Sequence, residues 1–354
     1  MNNSKKRLIT GNEEIAQAAD DAGCRYYFGY PITPQSEIPK YLSLHLPEVG
    51  GTFVQAESEI ASINMVLGAS AAGARAMTSS SGPGISLKQE GLSFMAADEL
   101  PALIVNISRT GPGLGGIAAS QGDYFQATRG GGHGDYRIIV LAPSSVQEMY
   151  DLTIKGFDLA DEYRIPVMIL ADSVLGQMKE SVIMGGGRTS IRVKKDWALT
   201  GSKGRSPNII KSLYLDGDKS VEYNWKLFEK YQEIQKNEVI CELRGHEDAD
   251  LILIAFGSAA RIAKTSMKMA RDKGIKVSML RPITLFPFPN QPIRDISKNI
   301  KNILVVEQNT GQMVEDVLLS ASENARVTFH GKPSGNVLEV EEILWQIEKC
   351  IQLK

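Results

Sequence analysis

The chain has 354 residues, of which 43% are apolar, and its 39 basic and 41 acidic side chains give a net charge of −2 at pH 7. This length is typical of about two domains, and the balanced charge excludes the basic surface that nucleic-acid binding requires. Because no run approaches the ~18 apolar residues of a membrane span or forms a secretory signal, we expect a cytoplasmic protein.

The first half of the chain alternates short strands with longer helices. Strands are predicted at residues 25–28, 52–55, 75–78, 103–107, 137–141 and 167–170, and helices at 11–22, 35–44, 57–72, 85–97 and 144–163. This alternation predicts an α/β fold, with a parallel sheet that carries helices on both faces. We place the domain at residues 1–184.

Regular alternation stops at three glycines, residues 185–187, and returns near residue 250. The region between is rich in polar residues and turn signals, apart from a charged surface helix predicted at 223–236. We interpret residues 185–245 as an irregular connecting segment. Beyond it, strands at 251–256, 276–280 and 302–307 and a helix at 259–273 predict a second, smaller α/β domain, at residues 246–354.

Ligands of an open parallel sheet bind beyond the carboxyl ends of its strands, so the loops there are the candidate sites. The first such loop holds Thr33 between Pro31 and Pro34. The second places Glu57 and Glu59 where a strand ends and a helix begins. Pattern alone favours an ordinary helix cap for Thr33 and helix-dipole complementation for the two carboxylates, with a ligand role as the alternative.

The third loop, residues 79–84, ends in Ser81, Gly82 and a second glycine at a predicted helix start. It suits either an anion or a tight turn that a ligand approaches closely. The fourth begins at Arg109, directly after an apolar strand, where arginine suits a carboxylate ligand or an ordinary surface ion pair. Its glycine-rich part, with Arg129 and His133, could be a mobile lid or a plain loop.

The sequence contains no motif for several other kinds of chemistry. The three cysteines, at positions 24, 241 and 350, are far apart and form no CxxC pair, so we expect them to be reduced structural residues. A histidine cluster for a metal, a serine elbow and a dinucleotide-binding glycine pattern are also missing. Pattern alone therefore predicts a two-domain α/β protein with a polar site at the strand ends.

Taken in order, the motifs resemble the alpha-type subunit of 2-oxoacid:ferredoxin oxidoreductases, most closely the branched-chain (2-oxoisovalerate) type. The resemblance covers nearly the whole chain, and the motifs are specific jointly rather than singly. They are YPITP (30–34), ESEIA (57–61), GASAAGAR (68–75), SGPG (81–84), NISR (106–109), TRGGGHGDYR (128–137), LAPSSVQE (141–148), WALTG (197–201) and RPITLFP (281–287).

This resemblance implies a fold and a set of partners. The first domain would be the pyrimidine-binding domain of thiamine-diphosphate enzymes, and the second a transketolase C-terminal-like domain. Thiamine diphosphate would be shared with a beta subunit that carries the diphosphate and Mg²⁺ site, since no GDG…N motif occurs here. Further partners would be gamma and iron–sulfur (delta) subunits, the iron–sulfur clusters would lie on partner subunits, and no metal site is expected on this chain. The expected reaction is coenzyme A-dependent oxidative decarboxylation of a 2-oxoacid to acyl-CoA and CO₂, with electrons passed to ferredoxin.

The resemblance also implies residue roles. Glu59, rather than Glu57, would protonate a ring nitrogen of the cofactor's aminopyrimidine. Thr33 and Arg109 would bind the 2-oxoacid. The remaining cofactor contacts would come from Pro31, Ile32, Ser81 and Gly82.

Three alternatives remain open at this point. A 2-oxoglutarate enzyme would need a second cation for the distal carboxylate, and Arg75, Arg129, Arg137 and His133 are candidates. The chain could also serve a non-redox thiamine-diphosphate enzyme, or keep the fold as a scaffold without catalysis.

Overall fold

The computed structural model describes residues 6–183, 193–245, 249–333 and 335–352. Its strands are β1 (Lys6–Thr10), β2 (Tyr26–Gly29), β3 (Thr52–Gln55), β4 (Ala76–Ser80), β5 (Ala102–Ser108), β6 (Ile139–Leu141), β7 (Pro166–Asp172), β8 (Lys179–Ile183), β9 (Cys241–Arg244), β10 (Leu251–Ile254), β11 (Val277–Pro282), β12 (Thr284–Phe286), β13 (Asn302–Glu307) and β14 (Arg326–Gly331). Its helices are α1 (Gly11–Asp21), α2 (Glu37–His45), α3 (Glu59–Ala71), α4 (Pro83–Leu87), α5 (Gln89–Ala97), α6 (Tyr124–Arg129), α7 (Val146–Tyr163), α8 (Ser173–Gln177), α9 (Gly217–Asn237), α10 (Gly257–Asp272), α11 (Asn290–Asn299), α12 (Met313–Ser320) and α13 (Val340–Gln352).

The first sheet has the order β3-β2-β4-β5-β7-β6-β12. Its strands pair in parallel, except that β12 runs antiparallel to β6. Strands β5 and β7 are buried at every position, so helices cover both faces of the sheet. The predicted fold class is confirmed.

The order of the strands creates a crevice beside β2. The chain leaves β2 to form β3 on one side and then returns, through α3, to form β4 on the other side. Such a reversal of strand order opens a space beyond the carboxyl ends of the strands. The loops after β2, β3, β4 and β5, which carry the candidate residues, therefore end side by side.

Two local details differ from the sequence prediction near this crevice. The helix predicted at 85–97 is two helices, α4 and α5, that meet at Lys88. Helix α3 begins at Glu59 rather than at residue 57, because the Ser58 side chain accepts a hydrogen bond from the backbone N–H of Ala61 (3.1 Å) and caps the helix. Glu59 is thus held in the first helical turn.

The second sheet, β14-β13-β10-β11-β9, is built mainly from the C-terminal part. Strand β9 comes from the predicted connecting segment, and β12 leaves the C-terminal part to join the first sheet. The connecting segment contains the 21-residue helix α9, longer than the predicted 223–236, and its residues 185–192 lie outside the described ranges. The three-part division stays a prediction, with two strands that cross between its parts.

Arg281, on β11 of the second sheet, links that sheet to helix α7 of the first domain. The Arg281 guanidinium donates to both carboxylate oxygens of Glu148 on α7 (2.9 and 2.6 Å), and its Nε donates to Glu242 of β9 (3.1 Å). Gln121 adds a second tie, because its side chain donates to the carbonyl of Phe256 (2.8 Å). In the described part of the chain, no helix has both the length and the apolar character of a membrane span.

Candidate active site

Glu59 lies in a close contact between two of the candidate loops. Its side chain is buried, with only 6% of the residue exposed. A Cβ added at Gly84 would lie 2.6 Å from Oε1 of Glu59 and 2.2 Å from Oγ of Ser80. The turn after β4 therefore packs directly on the carboxylate, and glycine leaves the space for it. Glu57 is exposed, which separates the two acids that the sequence placed together.

Arg109 joins the remaining two loops to the same place. It is 8% exposed, and its Nη1 donates to the backbone carbonyl of Thr33 (2.8 Å) while Nη2 donates to that of Leu114 (3.3 Å). Its Nε has no hydrogen-bond partner among the described residues. Gly82, at φ +48°, lies over this group, since a Cβ there would be 3.0 Å from Nε. A side chain at that position would be strained by its backbone and crowded by Arg109.

Several polar atoms at the carboxyl ends of β2 and β4 are buried without a hydrogen-bond partner in the described structure. They include the hydroxyls of Ser80 and Ser81 and the side-chain nitrogen of Gln35. The Ser79 hydroxyl, by contrast, donates to the oxygen of Gln35 (2.5 Å). Buried polar groups are nearly always paired in a complete structure, so these atoms indicate a place for a polar ligand.

A cleft of about 680 Å³ opens beside Arg109. Its walls are the turn at Gly82 and Pro83, the loop from Arg109 to Asp123, and residues 309–312 of the C-terminal part. Asp123, which the sequence did not single out, accepts a hydrogen bond from Asn106 (2.9 Å), and burial raises the pKa of its carboxyl. The cleft thus lies between the two domains, where enzymes commonly bind small molecules.

Lys88 is a second residue that the sequence analysis missed. It is fully buried, and its amine donates to the hydroxyls of Ser62 and of Thr78 (3.1 Å) and to the backbone carbonyl of Glu59 (3.4 Å). Burial lowers the pKa of Lys88 to about 7, against the opposing charge of Glu59. In the sequence Lys88 stands beside Gln89 and Glu90 in a predicted helix, and no local signal marks it as buried.

The proposed lid residues lie apart from this cluster. Arg129 pairs with Glu315 (3.1 Å) and Asp316 (3.4 Å) on α12, and its guanidinium stacks 3.9 Å from the ring centre of Phe125. His133 is exposed, and neither it nor Arg129 lines the cleft. The loop before Thr33 is closer, with Pro31 exposed and Ile32 half-buried at the strand end.

The fold and the family model of its first part define the class of protein, a thiamine-diphosphate-binding enzyme domain joined to a second α/β domain. Residues 17–238 match the family model described as "Pyruvate flavodoxin/ferredoxin oxidoreductase, thiamine diP-binding". Residues 249–343 match "Pyruvate:ferredoxin oxidoreductase core domain II". A split-gene transketolase structure, 12% identical with a TM-score of 0.60, covers 98% of this chain and 99% of its own and shares the fold.

Two similar proteins show which family the chain belongs to. Over 343 residues the chain is 50% identical to the ketoisovalerate oxidoreductase subunit VorB of Methanothermobacter marburgensis, covering 97% of each protein. It also matches the 2-oxoglutarate:ferredoxin oxidoreductase of Magnetococcus marinus, a structure with 2-oxoglutarate, coenzyme A and succinyl-CoA bound, at 29% identity and a TM-score of 0.88. That match covers 99% of this chain and 66% of the other. The chain belongs to the 2-oxoacid:ferredoxin oxidoreductase family, as a subunit, which confirms the resemblance found in the sequence.

Proposed function

We propose that this chain supplies Glu59 to a thiamine diphosphate shared with a beta-type subunit. The complex would convert a branched-chain 2-oxoacid, coenzyme A and oxidised ferredoxin to acyl-CoA, CO₂ and reduced ferredoxin. One observation carries the proposal: Glu59 is buried at the start of α3, against the glycine turn that also contacts Arg109. Four loops that are far apart in the sequence thereby form one site.

The residues present fit the aminopyrimidine half of the cofactor. That ring offers a nitrogen to a carboxyl group and an amino group to oxygen acceptors. Glu59 supplies the carboxyl, the unpartnered hydroxyl of Ser80 lies by the same glycine, and the unpartnered hydroxyl of Ser81 follows it in the chain; both can donate or accept. Pro31, Ile32 and Gly82 would complete the contact at the strand ends.

Glu59 would act by holding a proton at its carboxyl and sharing it with a ring nitrogen of the aminopyrimidine, as a general acid. Its place in a capped first turn fixes the side chain, and its burial keeps bulk water from competing for the proton. When bound, thiamine diphosphate supplies the electron sink for breaking the bond between the keto carbon and the carboxylate.

Thr33 and Arg109 are proposed to bind the 2-oxoacid at the neighbouring cleft. Arg109 uses one N–H of Nη1 and one of Nη2 for backbone carbonyls, so its positive charge and three N–H groups, including Nε–H, remain for the substrate. The exposed Thr33 hydroxyl is available for the keto oxygen or the carboxylate, and the Arg109 contact to its carbonyl holds the loop in place.

The charges around the cleft favour a branched-chain 2-oxoacid over 2-oxoglutarate. Of the cations considered for a distal carboxylate, Arg75 is held by Asp158 (2.9 Å) and Asp161 (2.7 Å), and Arg129 by α12. Arg137 and His133 do not line the cleft, where Arg109 is the cationic side chain among the described lining residues. An unpaired buried carboxylate is costly, so a substrate with an apolar tail fits better.

The surface around Glu59 suits the partner that the cofactor requires. Helices α3, α4 and α5 expose the apolar side chains Ile60, Met65, Leu87 and Phe94. Clustered exposed apolar residues mark protein interfaces. We assign this surface to the beta subunit with the diphosphate and Mg²⁺ site, and we expect the iron–sulfur clusters on partner subunits, with gamma and iron–sulfur (delta) subunits completing the complex.

A substrate panel on the purified complex tests the function. We expect 2-oxoisovalerate and 2-oxoisocaproate to reduce ferredoxin with a kcat/KM about tenfold or more above that of 2-oxoglutarate, with pyruvate also poorer. The complex should be brown, with iron–sulfur absorbance. A preference for 2-oxoglutarate would contradict the substrate assignment, and a colourless active complex would indicate a non-redox thiamine-diphosphate enzyme.

Arg109→Lys is expected to raise KM for the 2-oxoacid about tenfold and to leave kcat within about threefold. Lysine keeps the charge but lacks the planar fork that ties Thr33 and Leu114. The matched control is Arg137→Lys, outside the cleft, for which KM should not change. Steady-state kinetics with each acid of the panel measure both. An unchanged KM for every 2-oxoacid would remove Arg109 from the substrate site.

A further inference from the structure

Lys88 is a buried amine that the proposed chemistry does not use. It stands at the junction of α4 and α5, where the helix predicted from sequence is broken, and none of its surface is exposed. Burying an ammonium group away from water costs free energy unless it is well paired. The burial of this amine therefore suggests a role for Lys88 other than packing.

The contacts of Lys88 join the three elements that carry the candidate site. Its amine reaches α3 through the Glu59 carbonyl (3.4 Å) and the Ser62 hydroxyl, and it reaches β4 through the Thr78 hydroxyl (3.1 Å). These contacts match the three N–H groups of an ammonium. The Ser62 hydroxyl in turn donates to the same Glu59 carbonyl (2.8 Å), which fixes the first turn of α3.

Charge links Lys88 to Glu59 as well. Burial acts to lower the pKa of Lys88, and the carboxylate of Glu59 is the charged group that acts in the opposite direction. The hydroxyl partners of the amine, Ser62 on α3 and Thr78 on β4, are neutral, and Glu90 on α5 is exposed.

We propose that Lys88 is a positioning residue for Glu59, acting through the first turn of α3. It does not touch the cofactor or the 2-oxoacid itself. The inference rests on the function proposed for Glu59. It predicts that loss of the amine weakens cofactor binding and lowers kcat while KM for the 2-oxoacid, which depends on the Arg109 side of the site, stays the same.

The experiment compares Lys88→Met, which keeps the length of the side chain and removes the amine, with wild type in the assembled complex. Thiamine diphosphate is titrated into the cofactor-free complex by calorimetry, and kcat and KM are measured separately. We expect the Kd of thiamine diphosphate to rise about tenfold and kcat to fall about tenfold, as for other residues that orient an active-site group. KM should stay within about twofold.

A double-mutant cycle separates positioning from a general structural effect. If Lys88 acts through Glu59, Lys88→Met should change kcat less than about twofold in a Glu59→Gln background, because coupled residues are not additive. The control is Lys230→Met, which removes a half-buried lysine on α9 that pairs with Glu99 (2.8 Å) and does not contact α3 or β4 through a described hydrogen bond. It should alter neither Kd nor kcat.

The outcomes are distinguishable. A Lys88→Met complex with Kd and kcat within twofold of wild type, or an effect that persists undiminished beside Glu59→Gln, overturns the positioning role alone. A fully active Glu59→Gln complex overturns the proposed function and this inference together. Should Lys88→Met fail to assemble, Thr78→Val, which removes one partner of the amine, is expected to give smaller changes in the same direction, and unchanged values would contradict the proposal.

Discussion

Glu59→Gln is expected to lower kcat for 2-oxoacid-dependent ferredoxin reduction by about 100-fold or more. Glutamine keeps the size and the burial of the side chain, but it cannot donate and recover a proton as a carboxyl group does. The assembled complex should keep its subunit composition and thermal stability, because the cap of α3 comes from Ser58 and not from Glu59. Stopped-flow or steady-state reduction of ferredoxin measures the effect.

The sequence supplies a matched control two residues away. Glu57 has the same side chain in the same loop but is exposed, so Glu57→Gln should leave kcat within about twofold. If Glu59→Gln retains activity within about threefold of wild type, the role given to Glu59 is wrong, and a scaffold without catalysis becomes the better description of this chain.

Arg281→Met is expected to destabilise the folded chain by about 3 kcal/mol. The arginine side chain is 6% exposed and holds two carboxylates, Glu148 and Glu242, which are 27% and 29% exposed. Removing one partner of a buried ion pair costs about 3–5 kcal/mol, because the other charge stays behind. Partial exposure of the two acids to water puts the cost at the lower end. Urea unfolding with a tryptophan signal measures the change.

Arg129→Met is the control for this effect. Arg129 also joins the two domains through carboxylates, but its side chain is 43% exposed, and such surface pairs contribute less than about 1 kcal/mol. Equal losses of unfolding free energy for the two variants would show that the contacts of Arg281 do not act as a buried ion pair. Methionine retains most of the length of the arginine stem, so the comparison isolates the guanidinium group.

The regular elements were largely predictable from the sequence. Strands β3 and β13 have the bounds predicted for them, since each is a short apolar or β-branched run between turn signals. The exchange of β12 into the first sheet was not predicted. A three-residue strand carries too little pattern to identify its partner, and only the folded arrangement places it beside β6.

The division of the predicted helix 85–97 at Lys88 was missed for a different reason. Local propensity supports one continuous helix over 85–97, because lysine is a good helix former. The buried polar contacts of its amine lie on α3 and β4, ten to almost thirty residues away in the chain. No local pattern records that pairing, so the residue was taken as part of an ordinary helix.

By itself, the sequence determined the class of fold, the family and the set of candidate loops, because hydrophobic periodicity is local and the ordered motifs are jointly specific. Each motif alone stayed ambiguous, since a capping residue and a catalytic residue look the same in a loop. Tertiary structure decided where these residues lie and which of them are buried. The strand order β3-β2-β4-β5 brings the four loops together, buries Glu59 against Gly84 while Glu57 remains in water, and commits two donors of Arg109 to the backbone. Contacts between segments so distant in sequence depend on the topology of the sheet, which local pattern does not specify.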